Sequence, residues 1–181
     1  MLSTLLMPVA TTEAATTVKA SPNYQNKDLL TPKLDSKTLK LMKDRKFSYK
    51  GVEFRDKFKE VHSTFGKDTY SNVYRDIYGV VVEKDYGRDG EVVFAGRDYN
   101  RNMVTSGAWV DCMAFKYIWK QPVLSSSMKK ILGKSTSSSK MSDGLIVNKY
   151  GLHVKLILQK NEGTGTLEIV QLEYHDVQLS V

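Results

Sequence analysis

Few residues in this chain could do covalent or metal chemistry. One cysteine, Cys112, and three histidines, His62, His153 and His175, are spread over 181 residues. A single cysteine excludes an internal disulfide and any metal site built from several thiolates. The histidines stand too far apart in sequence to show ligand spacing, so neither metal nor cofactor is expected. Nucleophilic catalysis by Cys112 would need a base aimed at it. In "AWVDCMAFKYIW" strict alternation places Cys112 with Val110, Ala114 and Ile118. That is the pattern of a buried strand face, where a free cysteine acts as a small hydrophobe. The same alternation puts Asp111 on the opposite face, so these neighbours form no dyad.

Phosphate chemistry fares no better. The glycines of "YGRDGEVVFAG" lead from one apparent strand into the next, whereas a phosphate cradle gathers backbone amides at a helix N-terminus. The Gly-Lys-Ser of "LGKSTSSSK" has Met128 where the first glycine of a phosphate loop belongs, and no strand feeds it. No acidic residue stands in an apolar setting with the partner that glycoside chemistry requires. The chain is read as a non-enzyme.

Recognition is a better-supplied alternative. Trp109, Met113, Phe115, Tyr117 and Trp119 alternate onto one strand face together with Asp111. Such a face either packs against helices or is an exposed contact surface, since Trp and Tyr dominate binding hot spots. On the second reading the contact residues are Trp109, Tyr117 and Trp119, joined by Tyr86 and Arg88 from the neighbouring loop.

The elements that must position these residues follow from periodicity. In "KLDSKTLKLMKDRKF" Asp35 or Ser36 caps a helix carrying Leu39 and Met42. A second helix is expected over Glu53 to Phe65, where Phe54, Phe58, Val61 and Phe65 make a continuous apolar stripe ending at Gly66. The period then drops to two: strands are expected over Ile77 to Lys84, Glu91 to Tyr99 and Ala108 to Trp119. "LSSSMKKILGK" offers a third, short helix with a serine cap. Beyond it Leu152, Val154, Leu156 and Leu158 oppose His153, Lys155 and Gln159. The alternation from Leu167 to Tyr174 is weaker, consistent with a bulge.

Several of these features recur. Phe65-Gly66-Lys67 returns as Leu132-Gly133-Lys134, Tyr78-Gly79 as Tyr150-Gly151, and the glycine turn at Gly90 as that at Gly165. The order helix, glycine, Tyr-Gly strand, glycine turn, strand occurs twice, which points to duplication. A short helix ending in such a glycine turn, followed by antiparallel strands, resembles the tandem units of the β-lactamase inhibitor protein family and related small lipoproteins of bacterial envelopes. The resemblance runs from about Tyr49 to Val181; the cysteine pairs of the inhibitor's units are missing here. It implies an α+β fold, two tandem helix-plus-antiparallel-sheet units forming one curved sheet backed by helices. It also implies that the sheet face grips a protein partner.

Composition fits that picture. A hydrophobic share of 41% and a charged share of 26% suit a globular core. The net charge of +7 favours anionic partners: a protein with an acidic cleft or, as the alternative, an anionic wall or membrane surface. The lysines form no basic stripe interleaved with aromatics, so nucleic acid is not an expected partner. "MLSTLLMPVATTEAATTVKA" reads as a truncated secretory signal, its small residues suiting cleavage after Ala20 or near Ala14, and is too short and polar to span a membrane. The expected organisation is a signal segment at 1–20, linker and first helix at 21–48, and units at 49–121 and 122–181. The expected protein is secreted or envelope-associated and binds another protein through its sheet face and loops.

Overall fold

The computed structural model describes residues 31–77, 79–87, 90–98, 107–121 and 124–176. The expected signal segment at 1–20 and most of the linker lie outside them.

Asp35 caps α1 (Ser36–Lys43), its carboxylate accepting the Thr38 amide, and Leu39 and Met42 are the residues it buries. The second helix is shorter than its apolar stripe: α2 covers Phe58–Phe65. The reason is competition for backbone bonds. The Arg55 and Phe58 amides donate to the carbonyls of Val110 and Ala108, and Asp56 accepts from the Val110 amide. Residues 55–58 are therefore committed to the edge of a neighbouring strand before the helix can begin.

Four strands follow, β1 (Tyr70–Asp76), β2 (Gly79–Tyr86), β3 (Val92–Asp98) and β4 (Trp109–Gln121). After α3 (Ser126–Leu132) come four more, β5 (Ser137–Lys140), β6 (Ile146–Tyr150), β7 (Val154–Lys160) and β8 (Leu167–His175). All pair antiparallel in one eight-stranded sheet of order β1-β2-β3-β4-β8-β7-β6-β5. Each helix–meander run thus fills half of the sheet, and the halves join through their last strands. The class is α+β, as expected, with the helices on one face.

Both meanders open alike. Gly66 and Gly133 follow their helices with φ/ψ of 74/−144° and 79/−160°, a region essentially reserved for glycine. Three residues on, Thr69 and Thr136 each donate their amide and hydroxyl to one carbonyl, Asp85 O and Lys149 O. Both meanders also carry a bulge in their fourth strand. Cys112 pairs with Ala95 and Val110 with Gly96, leaving Asp111 extra. In the other half Ile157 pairs with Gln171 and Leu158 with Ile169, leaving Val170 extra. The Tyr-Gly match is a different matter. Gly79 opens the second strand of its meander, whereas Gly151 precedes the third, so these two glycines are not structural equivalents.

One core lies between helices and sheet. In the first half it is aromatic: Phe65 lies 5.8 Å from Tyr49, 5.4 Å from Tyr86 and 5.2 Å from Phe94, ring centre to ring centre. Val154, Leu156, Leu158, Ile169 and Leu172 make the second half mainly aliphatic. Leu152, read as part of that stripe, precedes β7 and is exposed. The core is closed at its seam by Asp176, fully buried and paired with Arg45 and Arg55. Among the described residues no helix is long and apolar enough to cross a membrane.

Candidate functional site

The sheet face away from the helices is open, and its strands supply a basin of about 510 Å³. Alternation selects its lining: Val81, Glu83 and Asp85 from β2, Val93, Ala95 and Arg97 from β3, Ala114 and Lys116 from β4, and Gln171, Glu173 and His175 from β8. Ala95, Ala114 and Cys112 are small and stand beside one another on β3 and β4, with Ala95 opposite Cys112. That leaves a depression among longer charged side chains. Tyr70 and Tyr74 of the edge strand β1 border it and remain 59% and 45% exposed.

The bulge at Asp111 decides what β4 shows to this basin. A bulge places two residues opposite one and breaks strict alternation. Asp111 and Cys112 consequently both line the basin, while Val110, Met113, Phe115 and Tyr117 all turn to the core. This corrects the sequence reading, which grouped Cys112 with Val110 on a buried face and set Asp111 opposite. Gly96 makes the bulge possible: a Cβ there would lie 1.8 Å from the Trp109 carbonyl oxygen.

The expected contact residues divide accordingly. Trp109 is 41% exposed and pairs with the basin residue Arg97, so it is available to a partner. Tyr117 is not: it is buried, with its hydroxyl 3.3 Å from the Pro32 carbonyl to which it donates. Tyr86 is buried too, packed on Phe65 and Phe94, and burial pushes its phenol up from the ordinary value. Both are corrected from contact to core residues. Arg88 and the side chain of Trp119 lie outside the described residues. Tyr70 and Tyr74 were missed because β1, an edge strand with both faces wet, shows no alternation to read.

A polar cluster sits at the β4–β8 seam. Cys112 and His175 are directly opposed, with Glu173 opposite Ala114 on the same face. Glu173 accepts from Lys155 Nζ at 2.6 Å and His175 Nε2 at 2.9 Å through Oε2, and from Gln171 Nε2 at 2.9 Å through Oε1. Burial works against its ionisation, but the bonds from His175 and Lys155 outweigh it and hold the carboxyl below its ordinary value. The Cys112 sulfur is 3.9 Å from His175 Nε2, the same nitrogen that meets Glu173. The carboxylate therefore competes for that nitrogen's proton instead of orienting the ring from its far side, as a catalytic triad requires. Burial, then Glu173 and Asp111, push the thiol well above its ordinary value. Asp111 is pushed up to about 6, by burial against the opposing pull of Arg97 and His175.

No protein family, curated protein or solved structure matches the chain.

Proposed function

We propose that this chain is an exported, non-enzymatic protein-binding module that works through the open face of its sheet. We infer further that it consists of two tandem helix-plus-sheet units similar to those of the β-lactamase inhibitor protein family. The mirrored strand order, the paired Gly66 and Gly133, and a bulge in the fourth strand of each meander support the duplication. The binding reading rests on one observation: with helices covering one face, the other keeps a basin bordered by exposed Tyr70 and Tyr74. An antiparallel sheet with one free face can seat a partner there, and large aromatics at its border are the side chains that anchor interfaces.

The charges of the basin favour a protein over a uniform polyanion. Glu83, Asp85, Asp111 and Glu173 stand among Arg97, Lys116 and His175. A partner must therefore match both signs, which a folded protein surface can do. Binding would occlude whatever partner surface enters the basin.

A photo-crosslinker placed at Tyr74 or Trp109, with Lys40 on α1 as the control position, tests this in culture or host fluid. The expected result is one discrete partner from the open-face positions and none from Lys40. The joint Tyr70→Ala and Tyr74→Ala substitution should weaken its binding by about tenfold or more. Equal labelling from all three positions, or unchanged affinity of the double variant, overturns the reading.

The alternative, attachment to an anionic wall or membrane surface, has its own support. Lys37, Lys40, Lys43, Lys129 and Lys130 lie on α1 and α3, which pack together and carry no acidic residue. It calls for binding that salt reverses and that Trp109→Ala leaves intact.

A further inference from the structure

We propose that Cys112, Glu173 and His175 form a zinc site at the β4–β8 seam. Their sulfur, carboxylate oxygen and imidazole nitrogen all lie within 4.8 Å of one another, from three side chains on one sheet face. Zinc takes such a mixed set of S, N and O donors, whereas magnesium and calcium take oxygen alone. Tetrahedral zinc with ordinary bond lengths sets its S and N ligands about 3.6 Å apart and its N and O ligands about 3.4 Å apart. Here the sulfur and Nε2 are 3.9 Å apart, and Nε2 and Oε2 are 2.9 Å apart. Both separations are within about half an ångström of the zinc geometry, and the sulfur and carboxylate oxygen, no more than 4.8 Å apart, must also draw together by side-chain rotation as the ion binds.

Three further features fit a cation there. The donors stand on paired strands, with Cys112 and His175 in direct cross-strand register, which holds them more firmly than a loop would. Gln171 donates to the outer oxygen of Glu173, the kind of bond that orients a ligating carboxylate. Lys155 already places a positive charge 2.6 Å from Oε2. The carboxylate is thus held for a cation, and zinc would displace the ammonium toward the basin. The fourth position opens to the basin, where water or a partner's side chain completes the shell. This inference stands independently of the protein-binding reading.

Titration of the untagged full chain with Co²⁺ and then Zn²⁺ tests it. The expected result is one metal per chain, with cobalt giving the intense visible bands of a tetrahedral ion and a thiolate-to-cobalt charge-transfer band. Zinc should erase both. Cys112→Ser should remove the charge-transfer band, and His175→Gln should weaken binding about tenfold or more. Lys155→Met, which deletes the competing cation, should tighten it several-fold. The proposal is overturned if the wild-type chain shows no saturable binding, if the charge-transfer band survives Cys112→Ser, or if Lys155→Met leaves affinity unchanged or weaker. The wild-type spectrum and the Lys155→Met gain decide the matter even if a ligand variant fails to fold.

Discussion

The two halves of the sheet share a plan and differ in how they treat their edges and their seams. The outer strand of the second half, β5, is a four-residue run of serines and a lysine, exposed throughout. Short, polar, lysine-bearing edges discourage further pairing. The outer strand of the first half, β1, is seven residues long and exposes Tyr70, Val73 and Tyr74, followed by exposed Ile77. One edge is short and polar, and the other carries large exposed side chains at its border. The aromatic border and most of the basin therefore belong to the first half. The second half contributes a single basin strand, β8, with the Gln171, Glu173 and His175 cluster.

The bulges give the sharpest way to break this comparison. Both fall in the fourth strand of their meander, yet only the first is seated on a glycine. A methyl group at Gly96 would have to share space with the Trp109 carbonyl, a backbone atom that cannot rotate away. Overpacking in a filled core costs about 1–3 kcal/mol when side chains can adjust, so Gly96→Ala should exceed that range. It should also shift the β3–β4 register and disturb the basin. In the second half Leu158, opposite Ile169, stands where Gly96 stands in the first; Ile157→Ala beside it removes a half-buried side chain and should cost only about 1 kcal/mol. Urea unfolding of the two variants checks the contrast; similar losses would mean that the first bulge does not depend on its glycine.

The glycines after α2 and α3 sharpen the likeness instead. At Gly66 and Gly133 an added methyl group would meet open space, so only their backbone angles resist substitution. Alanine forced into that region costs on the order of 1–3 kcal/mol. Gly66→Ala and Gly133→Ala should therefore lower stability by nearly equal amounts in that range. A large inequality in their unfolding midpoints would argue against two equivalent units.

What the sequence made legible follows from burial. The helices were readable because Asp35, Ser125, Gly66 and Gly133 mark their ends, and β2, β3 and β7 because each buries one face. The edges β1 and β5 were not readable, since a strand wet on both sides leaves no alternation. The β4 pattern was readable but misleading: one inserted residue at Asp111 reverses the faces beyond it. That error moved Tyr117 to the surface and Cys112 to the core. The seam cluster stayed hidden for a related reason, since Cys112 and His175 are 63 residues apart and meet only through the antiparallel joining of β4 and β8. The glycine of "VVFAG" is legible in the sequence as the mark of a bulge or close packing, although its consequence for the faces of β4 is not. Gly96 marks a close backbone approach, and the bulge opposite it resets the parity.

The smallest effect concerns the carboxylates that the two halves place on the same open face, because their values are shifted in opposite directions. Glu173 in the second half is held below its ordinary value by its partners. Asp85 in the first half is pushed above 3.8, chiefly by burial, with Lys116 opposing and Glu83 adding to the shift; Tyr70 stands across from it on β1. A carboxyl with a raised folded value keeps its proton longer in the folded chain than in the unfolded one. Its contribution to stability therefore falls as pH rises from 3.8 through the folded value and stays diminished above it. Asp85→Asn removes the ionising group, so the variant should be more stable than the parent at about pH 8 and nearly equal to it at about pH 3. Unfolding midpoints at the two pH values measure the difference. A variant less stable at the higher pH would show that attraction to Lys116 outweighs burial, and the open face of the first half would then hold its charges as the second half does.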